Sequence, residues 1–429
     1  MTNFRNLRGT TDLLPDQLVK WQKVEEVIRQ QMFRNSIKEI RTPIIEVTDL
    51  FIRGIGEGTD VVSKEMYTFL DRGERSCTLR PEGTASIVRA FIEKFSSNPI
   101  QKLWYMGPMF RYERPQAGRQ RQFHQLGLEF IGYESIRSDV EIIALSWDLL
   151  KRIGIKDLNL EINSLGNSED RAIYQRSFLS WLDINSKFLD IDSQKRISQN
   201  PLRIFDTKNP ETIKLLEDAP KLIDFLSDNS LERFNRIKQE LNYQEIPFTE
   251  NNKLVRGLDY YTHTAFEIKS GLLGSQSTVC GGGRYDNLIN QMGGKKTPAI
   301  GFAIGLERLM ILAGEEFSKI RKTDIYIINK GKYAECFALK LSRTLSDFDL
   351  LTELDLGILS ITKQLKKANK LRVRAVIIIG DDEAKNNEFI IRKFSEHERD
   401  NCQEIISLKE KNKLEKWLRI NLNLRITNP

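Results

Sequence analysis

The first periodic segment of the chain covers residues 16–33. Its apolar residues recur at steps of three or four, namely at Leu18, Trp21, Val24, Ile28 and Met32. This spacing predicts an amphipathic helix that packs on a core. Residues 39–47 then favour a short strand that Pro43 interrupts. Because proline cannot donate to a central ladder, we expect this strand at an edge or an interface of a sheet.

Two antiparallel strand pairs follow this segment. Residues 67–79 alternate apolar and polar positions around the turn Asp71-Arg72-Gly73, which is the pattern of a hairpin. Residues 101–113 and 121–133 predict a second pair of strands. Between residues 168 and 246 the pattern changes to helical stretches separated by prolines, at Pro201, Pro210 and Pro220. We interpret this part as an inserted helical module.

Strand-like and glycine-rich segments return in residues 253–305 and precede a predicted helix over 306–317. From Asp324 onward, short β-type runs alternate with helical patterns, the runs at 325–328, 375–379 and 389–394 and the helices at 333–346, 361–371 and 411–420. Such alternation predicts a small α/β domain. We therefore predict a first domain over residues 1–321, which contains the helical insertion at 168–246, and a second domain over 322–429.

Composition narrows the class of protein. The chain has 429 residues, of which 40% are hydrophobic and 29% charged, the balance of a globular protein with more than one core. No apolar run reaches membrane-spanning length and the N-terminus lacks a signal pattern, so we expect a cytoplasmic protein without a membrane partner. The four cysteines are scattered and only three histidines accompany them, so we expect no metal site. The net charge of +7 permits a polyanionic partner without requiring one.

Unusual chemistry first appears in residues 78–84, Thr-Leu-Arg-Pro-Glu-Gly-Thr. Glu82 and Thr84 place a carboxylate and a hydroxyl two residues apart, beside a proline and a glycine, where they could bind an ammonium group. The alternative is an ordinary helix start, with an early proline and an acidic first turn.

A second segment, residues 107–129, joins two predicted strands by a loop rich in arginine. Its cationic residues are Arg111, Arg114, Arg119 and Arg121. Only Glu113 accompanies them before Glu129, and guanidinium groups match phosphate bidentately, so the hairpin predicts an anion-binding surface. A solvated charged hairpin is the alternative. Phe123 could stack on a base or belong to the core.

Glycine-rich stretches form a third segment: residues 256–261, Arg-Gly-Leu-Asp-Tyr-Tyr; residues 280–286, Cys-Gly-Gly-Gly-Arg-Tyr-Asp; and residues 301–308, which end in Gly-Leu-Glu-Arg. Glycines let backbone approach a ligand closely, and Arg308 adds a cation near a predicted helix start, where anions are favoured. None of these stretches fits the phosphate-binding loop or the dinucleotide-binding pattern. A mononucleotide site here would be of another kind.

The motifs together resemble the class II aminoacyl-tRNA synthetases over nearly the whole chain. The first class II motif resembles the opening helix plus residues 41–46, the second resembles Phe110-Arg111-Tyr112-Glu113 with its loop, and the third resembles Gly305-Leu306-Glu307-Arg308. Residues 79–84 and 256–261 are similar to the two motifs of the histidyl-tRNA synthetase family. The resemblance implies an α+β fold: an antiparallel sheet flanked by helices, a helical insertion and a C-terminal α/β anticodon-binding domain. It also implies a homodimer.

The resemblance further implies a reaction and the residues that perform it. ATP and Mg²⁺ would activate L-histidine as an adenylate, and the histidyl group would pass to tRNA(His). Arg256, Arg111 and Arg308 would be catalytic, and ATP would contact Arg111, Glu113, Phe123 and Arg308. The amino group of histidine would bind Glu82, Thr84 and Gln125, and its imidazole Glu129 and Tyr261, in a pocket shaped by Tyr260. Gln116, Arg119 and Arg121 would face the acceptor end of the tRNA.

Two alternatives belong to other classes of protein. A histidine-sensing regulatory paralogue without aminoacylation activity would typically lack the C-terminal domain and carry degraded histidine motifs, whereas both motifs are intact here. A pure RNA-binding protein would not need Glu82, Arg256 and Tyr261 together. Histidine-dependent exchange of pyrophosphate into ATP separates the three hypotheses.

Overall fold

The structure is a computed structural model, and it describes residues 4–95, 97–199, 201–254, 258, 260–357, 359–394 and 403–422. The chain divides into two compact units, Met1–Lys319 and Ile320–Pro429. The division falls two residues before the boundary predicted at residue 321. Among the described residues, no helix combines the length and the apolar character that a membrane crossing requires.

The first part of unit 1 follows the sequence pattern closely. Its helices and strands are α1 (Pro15–Arg34), β1 (Lys38–Glu39), β2 (Ile45–Val47), α2 (Thr48–Ile55), β3 (Tyr67–Leu70), β4 (Ser76–Leu79), α3 (Thr84–Lys94), β5 (Gln101–Phe110), β6 (Gln122–Ile131), α4 (Ile136–Arg152) and β7 (Asn159–Ser164). The predicted helix α1 and both antiparallel pairs, β3 with β4 and β5 with β6, are confirmed.

The strand predicted over residues 39–47 is wrong in one respect, because it is two strands in two sheets. β1 pairs in parallel with β5, and β2 pairs antiparallel with β4. Pro43 lies between them in neither strand, since it has no N–H for a ladder. Both short strands nevertheless lie at sheet edges, as predicted.

Between β7 and the next long strand, the described chain is mostly helical. The helices here are α5 (Ser168–Asn185), α6 (Ile191–Gln199), α7 (Pro210–Leu215) and α8 (Asp228–Tyr243), with short 3-10 turns between them. Pro210 occupies the first helical position of α7, and the side chain of Asn209 caps that helix. The prolines that break the sequence pattern therefore mark helix boundaries.

Unit 1 ends with β8 (Thr249–Glu250), β9 (Thr262–Lys269), β10 (Thr278–Arg284), α9 (Leu288–Gln291), β11 (Ala299–Gly305) and α10 (Leu306–Leu312). The helix predicted to reach residue 317 stops at Leu312. Ala313 is extended, with ψ 139°, and the N–H of Gly314 donates to the carbonyl of Ile153 instead of continuing the helix. A separate 3-10 turn, Glu315–Ser318, follows.

One eight-stranded sheet organises unit 1, in the order β1-β5-β6-β11-β10-β9-β7-β8. The pairs β1 with β5 and β7 with β8 are parallel, and the other neighbours are antiparallel. Successive side chains point to opposite faces, so Trp104 joins one buried cluster with α1 and α4, whereas Leu103 and Tyr105 join a second cluster with α3 and α5. The predicted antiparallel sheet flanked by helices is confirmed.

Unit 2 contains a five-stranded sheet in the order β13-β12-β14-β15-β16. Its elements are β12 (Ile325–Lys330), α11 (Lys332–Leu345), β13 (Thr352–Leu354), α12 (Ile361–Leu371), β14 (Ala375–Gly380), α13 (Asp381–Lys385), β15 (Glu388–Lys393), β16 (Gln403–Ser407) and α14 (Lys411–Leu422). The three predicted strands and three predicted helices are present, so the predicted α/β fold of this domain is confirmed. The sequence pattern missed β13, α13 and β16, which are the short elements.

Candidate active site

A cavity of about 780 Å³ opens beside β6, β10 and β11 in unit 1. Eleven of the predicted site residues line it: Glu82, Thr84, Arg111, Glu113, Arg119, Phe123, Gln125, Glu129, Tyr260, Tyr261 and Arg308. Gln116 and Arg121 lie outside the lining, and Arg256 lies outside the described residues. Segments that are distant in sequence therefore meet at one cavity.

Strand β6 supplies one wall of the cavity by its two-residue repeat. Phe123, Gln125 and Glu129 all lie on its cavity face. Between Gln125 and Glu129 the series passes through Gly127, which allows the ring of Tyr105 on β5 to lie against the backbone. The hydroxyl of Tyr105 lies 3.4 Å from Oε1 of Gln125. A regular strand with one glycine thus spaces three polar or aromatic side chains along the site.

Glu129 is a buried carboxyl group with two hydroxyl partners in the cavity. It is 1% exposed and accepts hydrogen bonds from the hydroxyl of Thr84, at 2.7 Å, and from that of Tyr285. Burial raises its pKa from 4.5 to about 8, and the two hydroxyl donors oppose that rise only in part. A buried carboxyl group with two fixed donors is oriented to meet a polar ligand atom in the cavity.

Glu82 combines the two interpretations of its motif. Its carboxylate accepts from the backbone N–H groups of Thr84 and Ala85, both at 2.7 Å, and so caps the start of α3. The same side chain is 3% exposed and lines the cavity. Burial raises its pKa, while the backbone donors and Arg111 pull the pKa down. The helix start is therefore also the acidic end of the site.

Tyrosines enclose this acidic end. The rings of Tyr260 and Tyr261 lie 4.6 Å apart, and Tyr285 meets Tyr260 edge to face at 5.6 Å. Burial raises the pKa of Tyr260 and of Tyr285 well above 10, so both hydroxyls stay protonated. Tyr285 and Tyr105 were not among the predicted site residues. The stretch Gly-Arg-Tyr-Asp at 283–286 was the available signal for Tyr285, whereas nothing local marked Tyr105.

Arginines line another part of the cavity, and Arg111 adjoins the segment that carries Glu82. Nε of Arg111 donates to the carbonyl of Pro81 at 2.8 Å, and the guanidinium lies over the ring of Phe123, 5.4 Å from its centroid. Glu113 lies between two of these cations, 3.0 Å from Arg119 and 3.8 Å from Arg111. Arg111 is thus held by a backbone carbonyl, and Arg111 and Arg119 share the carboxylate of Glu113. Both guanidinium-bearing residues line the cavity.

Arg308 approaches the same end from the first turn of α10. Its Nη1 donates to the carbonyl of Thr278 at 2.6 Å, and its Nε donates to the carbonyl of Gly118 at 3.3 Å. Gly118 has a φ of +70°, and a side chain there would press on Arg308. Burial lowers the pKa of Arg308, and Arg119 adds to that effect. The loop and the helix therefore fix this cation between them.

The loop between β5 and β6 holds the remaining predicted residues. Gln116 pairs with Arg119 in an isolated bridge, and the guanidinium of Arg121 lies 3.7 Å from the ring centroid of Tyr112. The N–H of Arg121 donates to the carbonyl of Gly9 at 2.7 Å. Gln116 and Arg121 thus belong to the outer side of the loop, and their proposed contact with a tRNA end stays a prediction.

The sheet, its flanking helices and the arginine-lined cavity together define a class II aminoacyl-tRNA synthetase fold. A crystal structure of apo histidyl-tRNA synthetase from S. aureus superposes with a TM-score of 0.78, at 36% sequence identity over 96% of this chain and 99% of that chain. A histidyl-tRNA synthetase structure from Nostoc sp. PCC 7120, at 20% identity and a TM-score of 0.63, shares the fold.

Sequence comparison identifies the family within that class. The histidyl-tRNA synthetase family model matches residues 9–168 and 203–309, and an anticodon binding domain model matches residues 324–414. The histidine–tRNA ligase of Prochlorococcus marinus subsp. pastoris is 67% identical over 425 residues, 99% of each chain. That of Parasynechococcus marenigrum is 54% identical over 90% of this chain and 93% of its own. The chain belongs to the histidyl-tRNA synthetase family.

Proposed function

We propose that this chain attaches L-histidine to tRNA(His) in two steps through a histidyl-adenylate. In the first step a carboxylate oxygen of histidine attacks the α-phosphorus of ATP and pyrophosphate leaves. In the second step a ribose hydroxyl of the terminal adenosine attacks the histidyl carbonyl and AMP leaves. The observation that carries the proposal is a single cavity with a buried carboxyl end, at Glu82 and Glu129, and an arginine end, at Arg111 and Arg308.

The arginine end fits the anionic half of the first reaction. Two negatively charged reactants must meet, and preorganised cations lower the energy of the charge that develops between them. Arg111 and Arg308 would contact the phosphates, and Phe123 would present a face to adenine. Arg256 would hold the α-phosphate and the histidine carboxylate. Mg²⁺ would enter with ATP, and Glu113 lies beside these arginines as an oxygen ligand of the type that Mg²⁺ prefers.

The carboxyl end fits the histidine side chain and its amino group. Glu82, Thr84 and Gln125 would bind the ammonium group, because they offer oxygen acceptors at one side of the cavity. Glu129 and Tyr261 would bind the imidazole, with Tyr260 closing the pocket. An amino acid without ring nitrogens would leave the buried Glu129 without its polar partner, which costs free energy and so gives selectivity.

Transfer to tRNA would use surfaces around the cavity. Gln116, Arg119 and Arg121 lie on the loop between β5 and β6, where their charge would favour the acceptor end. Unit 2 would bind the anticodon. We place the reaction in the cytoplasm, where charged tRNA serves translation.

We also propose a homodimer that forms through the small sheet β2-β4-β3. Apolar side chains on its outer strands are open to solvent in one chain: Ile45 is 50% exposed, Val47 54% and Leu70 69%. Burying such a patch is favourable. Light scattering during gel filtration should show twice the mass of one chain. Val47→Asp should produce monomers, and an unchanged dimer in that variant would contradict this interface.

Pyrophosphate exchange tests the proposed reaction. The purified full chain should exchange pyrophosphate into ATP when L-histidine and Mg²⁺ are both present. Omitting the amino acid, or replacing histidine by glutamine, should reduce exchange to background. Charging of tRNA with labelled histidine then tests the second step. Equal exchange with another amino acid would overturn the substrate, and histidine binding without any exchange would favour the regulatory alternative.

A further inference from the structure

Glu307 makes an unusual set of contacts at the boundary between the cavity and the protein interior. It lies in the first turn of α10, immediately before Arg308. Its two carboxylate oxygens accept the backbone N–H of His124 at 2.9 and 3.0 Å, and Oε1 lies 3.1 Å from Nδ1 of the same residue. One side chain on a helix therefore binds both the backbone and the ring of one residue on a strand.

The topology explains why the backbone of His124 needs this partner. β6 pairs with β11 until Gln125 meets Gly305, where β11 ends and the chain turns into α10. The N–H of His124 points toward the side where the next β11 residue would have been. A backbone N–H of an inner strand requires an acceptor, and the carboxylate of Glu307 supplies it.

The other neighbour of β6 is consistent with this assignment. His124 lies opposite Pro108 of β5, which has no N–H to give. The carbonyl of Pro108 accepts from Nε of Arg80 at 2.9 Å and so faces away from β6. His124 and Pro108 are therefore a pair without hydrogen bonds between them, and the N–H of His124 is directed to Glu307.

The contact between Glu307 and His124 lies on the stretch of β6 that borders the active-site cavity. Phe123 and Gln125 flank His124 and point into the cavity, whereas the ring of His124 points to the opposite face. There it meets Trp21 edge to face at 5.1 Å, beside a second cavity of about 540 Å³. Glu307 borders both cavities. Its carboxylate thus joins the strand that carries Phe123 to the helix that carries Arg308.

We propose that Glu307 is a positioning residue for ATP: by binding the N–H of His124 it fixes Phe123 on β6 relative to Arg308 on α10. The inference rests on the proposed function, in which Phe123 and Arg308 contact the nucleotide. Its consequence is selective. Gln125 also adjoins His124, but Glu82, Thr84 and Glu129 are held by hydrogen bonds in which Glu307 takes no part, whereas Phe123 and Arg308 both adjoin the two residues of this contact. Loss of Glu307 therefore affects ATP more than histidine.

Steady-state pyrophosphate exchange on the full chain provides the test, with KM measured separately for ATP and for histidine. In Glu307→Gln, KM for ATP should rise about tenfold, the scale of one charge-assisted hydrogen bond, while KM for histidine changes less than about twofold. His124→Ala keeps the backbone N–H, so its KM for ATP should rise by less than about threefold. Glu315→Gln, an exposed carboxylate beyond α10, is the matched control and should behave as the parent.

Thermal unfolding of each variant accompanies the kinetics. A carboxylate with only a structural role would lower the melting temperature and leave the ratio of the two KM values unchanged, which would overturn the inference. An effect of His124→Ala equal to that of Glu307→Gln would also overturn it, because the ring and not the backbone would then matter. If Glu307→Gln does not fold, Glu307→Asp, which keeps the charge but shortens the reach, should show the same split. A parent chain without histidine-dependent exchange would overturn the proposed function itself.

Discussion

Replacing Glu129 by glutamine should change how the stability of unit 1 depends on pH. In the folded chain the pKa of Glu129 is raised from 4.5 to about 8 because the group is buried. Between these two pH values the native state therefore keeps a proton that the unfolded state releases. The stability contributed by this proton is complete below pH 4.5 and is lost as the pH rises through about 8. Glutamine has the same shape and does not titrate.

The size of the stability change follows from the pH interval between the unfolded and folded pKa values of Glu129. Each pH unit corresponds to about 1.4 kcal/mol, so between roughly pH 5 and pH 8 the parent loses about 4 kcal/mol that the variant keeps. The free energy of unfolding of Glu129→Gln minus that of the parent should therefore rise by about 4 kcal/mol over this range. Contributions from titrating groups that do not interact with Glu129 cancel in the difference.

Urea unfolding followed by tryptophan fluorescence measures this difference. Trp21, Trp104, Trp147 and Trp181 lie in unit 1 and Trp417 in unit 2, so the signal reports mainly on unit 1. Glu57→Gln, at an exposed position, serves as the control for removing one carboxylate from the chain. A difference for Glu129→Gln that does not change with pH would refute the reasoning.

The same variant should lose function while it gains stability. With its pKa raised to about 8, Glu129 is mostly a neutral acid near pH 7, and an amide does not offer the same donor and acceptor atoms to the imidazole of histidine. KM for histidine in pyrophosphate exchange should therefore rise by about tenfold, the scale of one hydrogen bond between neutral groups. KM for ATP should stay close to that of the parent, since the arginine end is untouched. An equal rise in both KM values would indicate general disruption of the cavity.

Three further predictions follow from other parts of the chain. Arg256→Ala should lower kcat for pyrophosphate exchange by about two to four orders of magnitude with little change in melting temperature. Arg256→Lys should recover little of this activity, because lysine lacks the planar guanidinium group that can contact two oxygens at once. A near-normal kcat in Arg256→Ala would remove this residue from the mechanism. A chain ending at Arg321 should keep some pyrophosphate exchange but charge tRNA far less, with gel filtration to check the dimer; unchanged charging would contradict the role of unit 2. Gly127→Ala should destabilise unit 1 by about 2 kcal/mol in thermal or urea unfolding, because the new methyl group would overlap the ring of Tyr105. Gly305→Ala is the control and should destabilise unit 1 less, because a methyl group there meets nothing within 4 Å. Equal losses of stability in the two variants would refute the overlap.

Local patterns predicted the elements whose own residues decide their structure. The stripe from Leu18 to Met32 became the buried side of α1, and the turn at Asp71 is stabilised by its own side chain, which accepts from the backbone N–H groups of Gly73 and Arg75. Both signals lie within a few residues of the structure that they determine. The strand around Pro43 was predicted less well, because two different sheets compete for the residues on either side of the proline.

Contacts within the site depended on segments that no local pattern connects. Thr84, Glu129 and Tyr285 come from α3, from β6 and from the residue after β10, and the order of strands in the sheet brings them together. The motifs marked the first two residues, and the arginine-rich loop indicated the cationic part of the cavity. Tyr285 had no assigned role because its hydroxyl donates to the buried Glu129, a contact that no local sequence pattern indicates. The partner of Glu307 was equally hidden, since it is a backbone group.

Tyr105 shows why glycines in two separate motifs belong to the same structural feature. Its ring lies between Gly83, at the start of α3, and Gly127, on β6, and a methyl group at either position would overlap it. Gly83 lies at the start of α3 with a φ of −102°, which is open to any residue, so space and not backbone freedom requires glycine there. Burial raises the pKa of Tyr105 well above 10, so its hydroxyl remains a donor toward Gln125. The two glycines therefore make room for the ring of Tyr105 behind Gln125 and Glu129. Residues that do not themselves line the cavity thus help to determine the shape of the proposed histidine pocket.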